Sequence, residues 1–183
     1  MKIIYTVIAI ILMAASTASA QIGLGLNLSA GGGLSLPVSD LSGNWKTGYH
    51  GMAAISFSRI PQMEPAVRYA YHRFAAKNDA GSGTHLTIQE YGLDLKVKLS
   101  PPGLGVKPYA LVGAGAAKAK LSDDSSSTIS FSGTKFYYAF GGGILIGLIP
   151  RVDFFTEIRY TRISVSSGSV GCVPITVGLN LGI

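Results

Sequence analysis

The chain has 183 residues, 48% of them hydrophobic and 13% charged, with 15 Lys and Arg against 9 Asp and Glu for a formal net charge of +6. That length suits one domain; the basic residues are dispersed rather than clustered, which excludes a nucleic-acid-binding stripe. Cys172 is the single cysteine, so no internal disulfide forms and the fold must rest on hydrogen bonding and burial.

At the N-terminus, Lys2 precedes the apolar run IIYTVIAIILMAA and the small residues Ser16, Ala18, Ser19 and Ala20. This pattern predicts a secretory signal peptide over residues 1–20, cleaved at Ala18-Ser19-Ala20 before Gln21. An uncleaved anchor fits less well, because the run is short and ends in a processing site rather than in charge. No cysteine sits at the cleavage point, which argues against a lipoprotein signal.

From Gln21 onward, helical periodicity is poor and period-two alternation recurs between Gly, Pro, Ser and Asp clusters. The longest later apolar run, GGGILIGLI at 141–149, is too short and glycine-rich for a spanning helix. Eight strands are predicted, near 22–35, 48–58, 64–75, 85–99, 106–120, 133–148, 152–164 and 171–183. Their connections alternate. RIPQM at 59–63, SPPGLGV at 100–106 and LIPR at 148–151 are short and carry proline; the segments 36–48, 76–84, 121–133 and 165–171 are polar and mostly longer. Every proline turn therefore falls at one end and every polar loop at the other, as in an all-β, eight-stranded antiparallel up-and-down transmembrane barrel with both termini on the periplasmic side.

The stretch EYGLDLKVKL at 90–99 sets Tyr91, Leu93, Leu95, Val97 and Leu99 against Glu90, Asp94, Lys96 and Lys98. In a membrane barrel the first face meets lipid and the second an enclosed interior. The same parity assigns Glu64, Arg68, Asp153, Glu157 and Arg159 to that interior. An eight-stranded barrel is just wide enough to be filled by side chains, so these charges must pair to offset desolvation. On the apolar parity, Phe57, Tyr109 and Phe154 fall near the proline turns, and Tyr71, Phe136, Tyr138 and Tyr160 near the polar loops. These form two aromatic girdles. Aliphatic or small residues such as Leu24, Leu26, Ile55, Val67, Leu111, Ile144, Ile158 and Val177 lie between them. A soluble β-sandwich or a lipocalin-type binding barrel would alternate too, but would turn the charges outward and the girdle residues in.

The segments GGGLSLPVSDLSGNWKTGYHG at 31–51, KPYALVGAGAA at 107–117 and FFTEIRYTRI at 154–163 resemble the small Gram-negative outer-membrane β-barrel domains of the OmpX, Ail and OmpA type and the porin-like barrels. The resemblance covers residues 21–183 and implies insertion by the barrel-assembly machinery. Such chains commonly end in an aromatic residue, whereas this one ends VGLNLGI, keeping the alternation of Val177, Leu179, Leu181 and Ile183. The basic, exported chain is expected to meet outer-membrane lipid and lipopolysaccharide, with Lys46, Arg73 and Lys77 near the outer rim.

Some barrels of this size are lipid A deacylases or acyltransferases, and a hydrolytic site needs a nucleophile, a base and an orienting group. The histidines are His50, His72 and His85, with Ser82, Ser125, Ser126 and Ser127 in the polar loops. A turn centred on Pro61 makes His50 and His72 cross-strand neighbours on the inward parity, where an acid-base or metal site is conceivable. The His-x-Ser pattern of the deacylases is absent, since Arg73 and Phe74 follow His72. GLGLNLSAGGG lacks the Lys-Ser/Thr pair of a phosphate loop, Asp123 and Asp124 lack a spaced set of calcium ligands, and Cys172 reads as a small strand residue. The expectation is an integral outer-membrane barrel without catalytic activity, cofactor or metal, its loops serving envelope structure, adhesion or defence. An outer-leaflet lipid-modifying enzyme and a periplasmic lipocalin-like barrel are the alternatives.

Overall fold

The computed structural model describes residues 25–60, 62–77, 84–99, 105–122, 128–130, 133–165 and 168–183. The expected signal peptide, Leu24, the proline of the first turn and the loop residues Ser82, Asp123, Asp124, Ser125, Ser126 and Ser127 lie outside them.

The alternating segments form strands β1 (Leu26–Ser39), β2 (Gly48–Phe57), β3 (Met63–Ala75), β4 (His85–Lys98), β5 (Val106–Ser122), a short β6 (Thr128–Ser130), β7 (Lys135–Ile149), β8 (Val152–Val165) and β9 (Gly168–Gly182). All pairings are antiparallel and join chain neighbours, except that β5 passes over β6 to pair with β7 and the first strand pairs with the last. β1 pairs with β9 from Asn27↔Gly182 to Ser39↔Val170, and β4 with β5 from His85↔Ser122 to Lys98↔Tyr109. These ladders close eight strands into a barrel; β6 only extends β5 beyond its rim. Closure gives every barrel strand two bonded neighbours, the condition for backbone polar groups to survive in lipid.

The burial alternation follows the strands. In β2 the pattern is strict, with His50, Met52, Ala54 and Ser56 inside and Tyr49, Ile55 and Phe57 outside. Leu93, Val67, Ile158 and Ile55 are 67%, 62%, 54% and 57% exposed on the outer wall, so the apolar parity faces away from the interior. A soluble binding barrel would show the reverse. Inward glycines admit large neighbours: a Cβ on Gly143 would lie 2.6 Å from the Tyr109 hydroxyl, and one on Gly92 would overlap the Tyr137 hydroxyl.

Several strands run further than the sequence pattern predicts. β1 continues through Leu36 to Ser39, and β8 and β9 pair to the end, with Ser164↔Ser169 and Val165↔Gly168. Strand pairing therefore takes in Val165 and residues 168–171 of the expected polar loop at 165–171. Strand segments beyond the hydrocarbon layer need no apolar face, so their polarity cannot distinguish them from loops. The first loop holds a helical turn, α1 (Asp40–Asn44), whose Leu41 is buried while Trp45 bridges to Ala76.

Two lipid-facing assignments are corrected. Tyr109 and Leu111 are each 2% exposed and point inward, because register sets them on the face of Lys98 and Lys96. β5 is apolar on both parities, with Tyr109, Leu111, Gly113, Gly115 and Ala117 inside and Val106, Ala110, Val112, Ala114 and Ala116 outside, so alternation alone cannot orient it. Phe57 and Phe154 stand on the outer parity at the short-turn end. At the long-loop end the outer parity carries Tyr71, Phe136, Tyr138 and Tyr160, joined by Tyr49, Tyr69, Tyr91 and Phe140.

The outer wall yields a depth-dependent expectation. Leu93→Arg, at mid-strand, should destabilise the barrel by about 2–4 kcal/mol, and Leu36→Arg, near the rim, by about 1 kcal/mol or less. Urea unfolding in lipid vesicles measures both.

Candidate functional site

The interior is the densest collection of polar chemistry among the described residues. Glu64, Glu90, Asp94, Asp153 and Glu157 share it with Arg68, Lys96, Lys98, Lys107 and Arg159, five of each sign, and every one belongs to an ion pair. Arg159 is central, reaching Asp94 through Nη2 and Glu157 through Nε at 3.7 Å. Arg68 lies 3.4 Å from Glu90 and 4.0 Å from Asp94, and Lys96 lies 3.9 Å from Glu157. Tyr109 donates to Glu157 Oε2 at 2.9 Å, which explains its inward position. Towards the short-turn end, Glu64 accepts from Ser56 and pairs with Lys98 at 2.8 Å, and Lys107 meets Asp153 at 3.4 Å.

Ion pairs this deeply buried repay desolvation only when both signs are close and hydrogen-bonded. Charge balance meets the first condition. Apolar rings meet part of the second: Lys96 Nζ sits 5.1 Å from the Tyr109 ring centre and 5.6 Å from that of Phe155, a cation–π environment for a buried ammonium.

Above the charges lies a relay of histidines and hydroxyls. Register pairs His50 with His72, and their rings stack at 5.2 Å. Ser35 Oγ lies 3.1 Å from His50 Nδ1 and 2.8 Å from His72 Nδ1; His50 Nε2 lies 2.9 Å from Thr176 Oγ1, and His72 Nε2 faces Glu90 Oε1 at 3.6 Å. One arrangement of protons satisfies both Nδ1 atoms and His50 Nε2, while His72 Nε2 and Glu90 Oε1 face each other without a hydrogen bond. Nε2–H of His72 points at the carboxylate, so its Nδ1 accepts from Ser35; Ser35 in turn accepts from His50 Nδ1–H, and Thr176 donates to His50 Nε2.

Ser35, His72 and Glu90 thus bring a hydroxyl, an imidazole and a carboxylate into sequence, the residue types of a hydrolase. All three are 0% exposed. Towards the long loops they are covered by an apolar layer of Leu41, Phe74, Leu86, Ile88, Tyr137, Ile163 and Cys172, with Trp45 packed against it. Among the described residues, no group of three or more His, Cys, Asp or Glu side chains could hold a metal ion.

Sequence reasoning did not single out Ser35, Thr176, Ser56 or Lys107. Their signal was available: Ser35 between Leu34 and Leu36, and Thr176 between Ile175 and Val177, are polar residues on the inward parity of apolar strands. His85 takes part in none of the relay's contacts described above.

A model of the outer membrane protein beta-barrel domain matches residues 5–180. The fold is similar to that of neisserial surface protein A, at 19% identity and a TM-score of 0.67, covering 87% of this chain and 97% of that one. It is also similar to Ail, the attachment invasion locus protein of Yersinia pestis, at 18% identity and a TM-score of 0.54, covering 86% and 99%. A search of the curated proteins finds no match.

Removing one partner from a buried ionic network costs more than the pair contributes. Arg159→Leu should lower stability by about 3–5 kcal/mol. Tyr109→Phe, which leaves Glu157 without its hydroxyl donor, should lower it by about 1–3 kcal/mol. Equilibrium unfolding in lipid vesicles tests the order of the two.

Proposed function

This chain belongs to the outer membrane protein beta-barrel domain family, and from that premise we propose that it is a non-catalytic, non-conducting barrel whose work is done by the surface at its long-loop end. The observation that carries this reading is the filled interior: ion pairs and the histidine relay occupy the barrel, and the apolar layer with Leu41 and Trp45 lies across its long-loop end. A filled interior has no wide aqueous path for solutes. In this reading residues 1–20 are a removed export signal, the strands are inserted by the barrel-assembly machinery, the termini face the periplasm and the long loops face the exterior.

One observation favours a second reading, an outer-leaflet lipid hydrolase: Ser35, His72 and Glu90 are contiguous. Burial opposes it. A nucleophile must reach within about 3–3.5 Å of its carbonyl carbon, and here the hydroxyl is enclosed beneath packed apolar side chains. The relay acts instead as a polar strut between β1, β2, β3 and β9.

Three measurements test the proposal together. Purified protein in planar bilayers should show no steady ion conductance. Lipid A from cells expressing wild type, Ser35→Ala or His72→Ala should carry the same acyl chains as lipid A from cells lacking the protein. An epitope inserted between Lys77 and Thr84 should be labelled on intact cells. Steady conductance, a missing acyl chain dependent on His72, or labelling only after lysis would each overturn the corresponding part.

A further inference from the structure

Turns that hand a strand back through water are ordinarily built from Gly, Asn, Asp and Ser. The short turns of this chain are apolar instead. Ile60 and Met63 flank the β2–β3 turn, Leu99 and Val106 the β4–β5 turn, and Leu148 and Ile149 precede the β7–β8 turn; all are exposed, Leu99 and Ile149 by 65% each. These turns close every second seam of the eight-stranded ring, and exposed Ile183 stands at the seam of β9 with β1, so the apolar band runs right round the foot of the barrel. A bulge widens it in β7: the register passes from Gly147↔Asp153 to Ile149↔Val152, which turns Leu148 and Ile149 outward together.

Charge at this end has one sign. Glu64 and Asp153 are taken up by Lys98 and Lys107, and among the described residues the exposed charged side chains at the short turns are Arg59 and Arg151, both cations. The turn alone does not account for Arg151. Ile60-Pro61-Gln62-Met63 and Ile149-Pro150-Arg151-Val152 share one form, with Gln62 at φ 63° and Arg151 at φ 68°. In both, the carbonyl of the left-handed residue accepts from the end of the next strand, Gln62 from Lys98 N–H at 2.8 Å and Arg151 from Gly182 N–H at 2.7 Å. That bond calls for a left-handed backbone, which glycine adopts without strain. A long cationic side chain is held at Arg151 against the local preference.

We propose that the short-turn end is seated in the inner leaflet of the outer membrane, with its apolar band among acyl chains and with Arg151 and Arg59 on the phosphates of anionic phospholipid. A band that encircles the barrel is met by a surrounding medium, whereas a protein partner would cover one side of it. Apolar residues interleaved with cations, and no exposed acidic side chain, match the boundary between acyl chains and anionic headgroups, where an Arg side chain spans both. The choice of leaflet rests on the orientation proposed above.

Depth and lipid choice are tested separately on the folded full-length protein. In a Trp45→Phe background, Leu99→Trp or Ile149→Trp supplies the single tryptophan. Lipids brominated on the acyl chain should quench either one and acrylamide in the aqueous phase should not; Thr47→Trp, at the long-loop end, should respond the other way. Quenching of Leu99→Trp and Ile149→Trp by acrylamide would overturn the seating and leave the band to a soluble partner. In phosphatidylcholine nanodiscs containing phosphatidylglycerol, native mass spectrometry counts the lipid retained. Wild type should keep phosphatidylglycerol in preference to phosphatidylcholine, and inorganic phosphate should not displace it. Arg151→Gln should lower the preference about fivefold and Arg59→Gln/Arg151→Gln about 25-fold, at about fivefold per cation. Arg151→Gly, which relieves the turn, should lose as much as Arg151→Gln, and Arg151→Lys should keep most of the preference. Lys46→Gln, at the opposite end, should leave it unchanged. A heat-dependent shift in gel mobility confirms that each variant is folded. An unchanged preference in the folded double variant would overturn the phosphate contacts. Failure of the loop epitope to label on intact cells would instead remove the choice of leaflet, whatever the quenching and lipid results.

Discussion

The structure depends on one constraint: a sheet that crosses lipid must bond its own first strand to its last. Closure fixes the strand count, and eight strands fix an interior that side chains must fill. Everything polar on the inward parity then shares one enclosed volume. The balance of five cations and five anions follows from that enclosure rather than from any ligand.

The interior is built in layers, each serving the next. The apolar layer near the long loops excludes water, which strengthens the ion pairs below it and makes their loss more costly. α1 completes that layer with Leu41, so a helical turn in a nominal loop becomes part of the core. Glycines on the inner parity are the reverse of the large residues they face. Gly143 leaves space for Tyr109, and Tyr109 in turn holds Glu157.

Much of this architecture was legible in the chain, for a physical reason. Period-two alternation, polar loops and proline turns are local signals, and they placed the barrel strands and the His50–His72 pairing. Two things were not local. β5 is apolar on both faces, and its charges mislead: Lys118 and Lys120 share the parity of Ala110 and Val112, so a rule that charges point inward turns the whole strand over and sends Tyr109 into the lipid. Only the register with β4 corrects it. Strand ends were hidden in the same way, because Leu36–Ser39 and Val165 with Gly168 extend beyond the region where lipid dictates composition. Ser35 and Thr176 escaped notice because the histidines that need them lie on other strands.

The seam between β1 and β9 also governs when the molecule can exist. Ser29 and Asn180, which hydrogen-bond across it at 2.7 Å, are 151 positions apart in the chain. Contacts of such separation are the slowest to form, since the intervening chain must be ordered first. Until the last strand arrives, both edges of the growing sheet carry unpaired amides and carbonyls, which invite pairing with other chains. Membrane insertion is therefore bound to completion of the polypeptide: a nascent chain halted before β9 has no partner for its first strand and should be cleared as an aggregate rather than persist as a smaller barrel.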